Sequence, residues 1–232
     1  MMNMVLLAFF LVPLLAGVVV QFRPPGPRWS RLLLSFGGAF LLGVAVMHML
    51  PELYAEGGEG IGVWLLGGFL LQVIMEHFSH GLEHGHMHAW KGSVVPTTMM
   101  ISLGLHAFVE GLPFADAEVA ADMPFVAGVL LHKFPMALAL ATVIRNSGVA
   151  VGKGWMLLLG FALAAPLGML LGYQLPAEVA EVWLVRLLAV AIGMLLHIST
   201  TIIFESAPEH RFNTARSAAV LLGALLSLLA VH

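Results

Sequence analysis

Eight stretches of the chain are apolar over membrane-crossing lengths, at 4–22, 32–51, 61–79, 94–114, 123–144, 154–173, 182–203 and 214–231. Charge, Gly or Pro separates each from the next. About 20 helical residues cross the hydrocarbon core of a bilayer, and each stretch is long enough to span with some tilt. The runs are continuous rather than alternating, which excludes lipid-facing strands of a barrel and leaves helices. The pattern predicts an all-α membrane protein, with residues 1–232 forming a single transmembrane domain of eight helices.

Composition sharpens this picture. Hydrophobic residues make up 60% of the chain and charged residues 10%, against about 25% charged in soluble domains. Mean hydropathy is +0.97. An ordinary soluble enzyme and a disordered chain are both excluded. The absence of cysteine removes disulfides and thiolate chemistry. A net charge of −3 gives no basis for a nucleic-acid partner. The unusual number is 11 histidines against 10 lysines and arginines together.

Lys and Arg report orientation, because they concentrate in cytoplasmic loops. With the N-terminus outside, the inner loops hold Arg23, Arg28, Arg31, Lys91, Arg145, Lys153, Arg211 and Arg216, and the outer loops only Arg186. The positive charges follow the first span rather than precede it, so it reads as a retained helix and not as a cleaved signal. Both termini are therefore expected outside. The outer loops carry acids, among them Glu52, Glu56, Asp116, Glu118 and Asp122, and such a face concentrates cations.

Spans four and five echo each other at an offset of 26 residues. His106-Ala-Phe-Val-Glu110-Gly-Leu-Pro-Phe-Ala115 is matched by His132-Lys-Phe-Pro-Met136-Ala-Leu-Ala-Leu-Ala141. Weak internal symmetry of this kind marks transporter folds, whose sites lie at the repeat interface. His106 and Glu110 are four apart and share a helix face, as do His132 and Met136. Imidazole and carboxylate suit a zinc-like ion, and a thioether adds a soft, weak ligand. An ionisable group at a helix centre costs about 2.5–3.5 kcal/mol on insertion scales, yet Glu110 and Lys133 both lie there. The structural alternative is a histidine bonding between helices and a Glu110–Lys133 ion pair. Pro135 is expected to free the Leu131 carbonyl beside His132.

At these residues the sequence resembles the Zrt/Irt-like (ZIP) family of divalent metal transporters, and the resemblance covers the whole chain. The family's fourth span typically carries His-Asn-x-x-Glu/Asp-Gly, and here it reads His106-Ala107-Phe108-Val109-Glu110-Gly111. The fifth typically carries His-Glu/Asn-x-Pro-His/Glu-Glu/Gly, and here it reads His132-Lys133-Phe134-Pro135-Met136-Ala137. The end of span two, His48-Met-Leu-Pro51-Glu52, and Ala165-Pro166-Leu167-Gly168 in span six are also similar. The resemblance implies a 3+2+3 arrangement with inverted symmetry between spans one to three and six to eight. It also implies a homodimer with elevator-like motion that moves zinc, iron or manganese into the cytoplasm.

Family members often hold two adjacent metals between spans four and five. The resemblance makes His106, Glu110 and His132 the ligands of the first site. The usual second-site donors are replaced, because Ala107 stands where Asn is usual, Lys133 where an acid or Asn is usual, and Met136 where an acid or His is usual. The expectation is one intramembrane metal, held by His106, Glu110, His132 and Met136. The Lys133 ammonium would take the place of the second cation and repel the first in a low dielectric.

Two further groups of residues bear on transport. His48 and Glu52, four apart at the end of span two, are expected to form an entry site or simply a polar helix end. The loop 80–91 carries His80, His84, His86 and His88, a composition suited to weak cytoplasmic metal holding. His197 and the neighbouring Ser199, Thr200 and Thr201 read as packing. Gly168 and Gly172, and Gly37, Gly38 and Gly43, allow close helix contact within the chain or across a dimer.

The sequence thus reads as a multi-pass protein of a bacterial-type inner (plasma) membrane. It is expected to carry a divalent transition metal, zinc foremost, with Fe2+, Mn2+ and Cd2+ as other candidates, and to need no cofactor. A metal sensor, or a transport-inactive relative in which Lys133 neutralises Glu110, is the alternative. A membrane metalloenzyme ranks lower, since no general base beyond the ligands is visible except Lys133, and no enzyme activity is expected.

Overall fold

The computed structural model describes residues 1–82, 95, 97–205 and 213–231. Among these, eight helices are long and apolar enough to cross a membrane. They are α1 (Met2–Phe22), α2 (Arg28–Glu56), α3 (Ile61–Ser79), α4 (Thr97–Ala115), α5 (Met123–Asn146), α6 (Val151–Tyr173), α7 (Ala177–Phe204) and α8 (Thr214–Val231). No strand occurs among the described residues.

Several ends follow from local chemistry. Pro27 stands at the opening turn just ahead of Arg28, where a missing N–H costs nothing. Helix α2 runs past the expected end at residue 51, through a π turn at Ala45–Met49 and a last stretch Leu50–Glu56. Pro51 lies in the first turn of that stretch, where it is tolerated. Helix α4 is α-helical over Thr97–Gly111 and tightens to a 3-10 turn at Leu112–Ala115, which contains Pro113. Helix α7 begins five residues before the expected 182, with Glu178 in the first turn, where an acid suits the helix dipole. Helix α3 ends at His80, in the left-handed conformation that closes helices (φ 57°).

The helices pack as two interlocked groups. In one, α1, α4, α5 and α6 meet through α4 on α6 and α1 on α5 and α6. In the other, α2 packs along α8 and α3 along α7. Helix α5 is the central element, with 72% of its apolar window buried, whereas α8 has 11% and faces outward along most of its surface. Close approach rests on glycine. A side chain at Gly168 would overlap the Phe108 carbonyl, and one at Gly111 the Ala165 carbonyl, so α4 and α6 interlock. Gly68 against Val190 and Gly193 against Leu65 do the same for α3 and α7. Gly37, Gly38, Gly43, Gly168 and Gly172 all meet atoms of this same chain, so their close contacts are internal.

Helix α5 runs unbroken through Pro135. The Leu131 carbonyl lies against Gly37 of α2, where an added Cβ would come within 2.6 Å of it. The proline therefore serves a close α2–α5 contact. Arg186 lies over both Trp64 (5.4 Å) and Trp183 (5.3 Å), an arrangement typical of a membrane–water interface.

Candidate metal centre

Four of the expected residues come together on facing sides of α4 and α5. His106, Glu110, His132 and Lys133 are all buried to 1% exposure or less. The rings of His106 and His132 are nearly perpendicular, with centroids 6.1 Å apart. Lys133 Nζ donates to Glu110 Oε2 at 2.5 Å, a salt bridge wholly out of solvent. The same ammonium stands 5.5 Å from the Phe9 ring of α1 and 5.9 Å from the Phe161 ring of α6. Glu110 Oε1 has no hydrogen-bond partner among the described residues. Met136, one helical turn past His132, is fully buried. Ala107 is also buried and offers no donor.

Helix α3 contributes a residue that belongs to none of the sequence motifs. Gln72 is fully buried, and its Oε1 accepts from His106 Nδ1 at 3.0 Å. One turn along the same seam, Ser102 Oγ of α4 donates to the Met75 carbonyl of α3 at 2.7 Å. A lone Gln inside a long apolar run was the available signal.

A second cluster lies where α2, α5 and α7 open into a cavity of about 820 Å3. His48 Nε2 is 2.8 Å from Asp122 Oδ2, and His48 Nδ1 is 3.3 Å from Glu52 Oε1. Among the described residues, His48, Glu52 and Asp122 form the one set of three or more such side chains whose donor atoms lie within 4.8 Å of each other. His106, Glu110 and His132 are not gathered to that degree, and Glu110 is engaged by Lys133. Glu56, Asp116 and Glu118 also line the cavity, and its described lining holds no Lys or Arg. Asp122 has two tasks, since its Oδ1 caps α5 by accepting from the Phe125 N–H at 2.9 Å. From sequence Asp122 is expected only as one of the outer-loop acids. Its position just before Met123-Pro124 was the helix-cap signal that pointed to more.

Along α4 and α5, aromatic side chains lie between the mouth and the ion pair. Phe114 and Phe125 stack at 5.1 Å, and Phe9 meets Phe114 edge-on at 4.9 Å. All three are buried.

Other histidines fall elsewhere. His197 Nε2 is 2.6 Å from Glu76 Oε2 and its ring meets Phe69 edge-on, a tie between α7 and α3. Thr200 and Thr201 donate to carbonyls of their own helix, at Leu196 and His197. His80 closes α3. His84, His86 and His88 lie outside the described residues.

The family model for the ZIP Zinc transporter matches residues 83–230, more than half of the chain. The chain belongs to this family, a class of membrane transporters of divalent metals. The matched region includes α4 to α8 with the buried pair and Asp122, whereas His48, Glu52 and Gln72 precede it. No curated protein matches the chain.

The ion pair generates a direct test. Removing one partner of a buried pair strands the other charge and costs about 3–5 kcal/mol, while an apolar replacement of both is often neutral. Lys133→Met alone should lower the melting temperature of the purified, metal-free protein in detergent. Lys133→Met combined with Glu110→Leu should recover most of the loss. Equal melting of all three proteins would show that the pair carries no stability.

Proposed function

We propose that the protein carries a divalent transition metal, zinc foremost, into the cytoplasm through one buried site between α4 and α5. The observation that carries this reading is the Lys133–Glu110 salt bridge beside two imidazoles. An ammonium already holds the position of a cation against the carboxylate. Arriving metal takes Glu110 from Lys133 and is completed by His106, His132 and Met136. The displaced lysine, held nearby by its helix, repels the bound ion and favours its release. One metal is bound in place of two, since Ala107 offers no donor and Lys133 supplies the second positive charge.

The acidic cavity is the entrance in this reading. Its carboxylates raise the local concentration of cations, and His48, Glu52 and Asp122 take the metal first. Charge bias supports an outward-facing entrance, with both termini on that side and the 80–91 loop, including His80, His84, His86 and His88, receiving metal in the cytoplasm. Packing supports a 3+2+3 arrangement with inverted symmetry. Exchanging spans one to three for six to eight, and four for five, turns the α2–α8 contact into α7–α3 and the α1–α5 contact into α6–α4, and the members of each pair are similar in extent. A homodimer in a bacterial inner membrane completes the proposal.

The same salt bridge favours a second reading, in which Lys133 neutralises Glu110 permanently and the protein is a metal sensor or a transport-inactive relative. Liposomes loaded with a metal-sensitive dye separate the two. Zinc added outside should produce flux in the native protein, and Glu110→Ala should abolish it. Metal binding without flux of zinc, cadmium, manganese or iron would establish the second reading. At the entrance, Asp122→Asn should raise the zinc concentration needed for half-maximal flux about tenfold, leaving the maximal rate largely unchanged. An unchanged half-maximal concentration would remove Asp122 from the path.

A further inference from the structure

We infer that Gln72 of α3 is a positioning residue for the buried metal site, so that the site draws on three helices. The inference rests on the reading of His106 as a ligand. Gln72 Oε1 and His106 Nδ1 are 3.0 Å apart, and both side chains are wholly buried. A carbonyl oxygen only accepts, so His106 Nδ1 carries the proton. The ring lone pair is then on Nε2, which makes Nε2 the ligating atom. Histidines that ligate metals are commonly oriented in this way, through a carboxylate, carbonyl or water on the other ring nitrogen.

The identity of the partner matters as much as its position. A carboxylate at residue 72 would place a negative charge behind the ring and strengthen the imidazole as a donor. The neutral amide orients the ring without that charge. A transporter has to release the ion it binds, and the amide gives the ring its direction while leaving the grip weak. The arrangement carries a cost that packing alone does not call for. Gln72 Nε2 is buried with no hydrogen-bond partner among the described residues. The Ser102–Met75 bond, on the same seam, fixes α4 against α3 and holds His106 in register with Gln72.

The test measures zinc affinity of the purified full-length protein in detergent, by competition with a chromophoric chelator. It compares the native protein with His106→Ala, Gln72→Leu and Gln72→Glu, each checked for fold by circular dichroism and melting. Gln72→Leu should bind zinc about 10–100-fold more weakly. Gln72→Glu keeps an acceptor and adds charge, so it should bind more tightly than the native protein and exchange zinc more slowly across liposomes. Opposite shifts are not expected of a residue that only packs. Native affinity in both variants, or equal weakening in both, with His106→Ala clearly weakened, would overturn the role of Gln72. Unchanged affinity in His106→Ala would overturn the reading of the site itself, and this inference with it. Gln72→Met replaces Gln72→Leu if the latter does not fold.

Discussion

One buried salt bridge organises this structure. Lys133 and Glu110 lie on two helices at membrane depth, where either charge alone would cost about 2.5–3.5 kcal/mol on insertion scales. Pairing at 2.5 Å relieves both. The amine also lies near the rings of Phe9 and Phe161, so α1, α4, α5 and α6 converge on one positive charge. The rotation of α5 follows from that convergence. Holding Lys133 toward Glu110 sets the direction of its neighbour His132 and brings the two imidazole rings within 6.1 Å. The ion pair and the two facing imidazoles are therefore one constraint, and a cation that took Glu110 from Lys133 would disturb the packing of four helices.

The remaining helices give that centre its surroundings. Helix α2 approaches α5 at Gly37, where the Leu131 carbonyl freed by Pro135 needs an approach without a side chain. At the other end of the same contact, the π turn of α2 carries His48 to Asp122 at the head of α5. Such turns recur at functional sites. The Phe9–Phe114–Phe125 cluster lies between the two polar regions. Buried aromatic surface thus stands between the acidic cavity and the ion pair.

Much of this was legible in the chain, and the exceptions have a common cause. Eight spans follow from apolar length, which is a local property, and their ends differ from the expected ones by five residues or fewer, most at the end of α2 and the start of α7. The His106–Glu110 face follows from helical spacing. The ion pair was legible as one of two alternatives, because a lysine and a glutamate at membrane depth have few other partners. Gln72 and Asp122 were not legible, since each acquires its role from a residue far along the chain, 34 positions away for His106 and 74 for His48. The glycines were ambiguous for the same reason. The sequence marks small faces, but only the folded chain reveals that Phe108, Ala165 and Leu131 carbonyls fill them.

In the proposed transport cycle, metal replaces Lys133 at Glu110. The most direct measurement is an anomalous difference map, at the zinc edge, from crystals of the zinc-loaded protein. One intramembrane peak is expected, about 2.0–2.2 Å from ligand atoms of His106, Glu110 and His132, with Lys133 Nζ moved off the carboxylate. Two intramembrane peaks, or an intact Lys133–Glu110 bridge with zinc bound only at the mouth, would contradict that cycle.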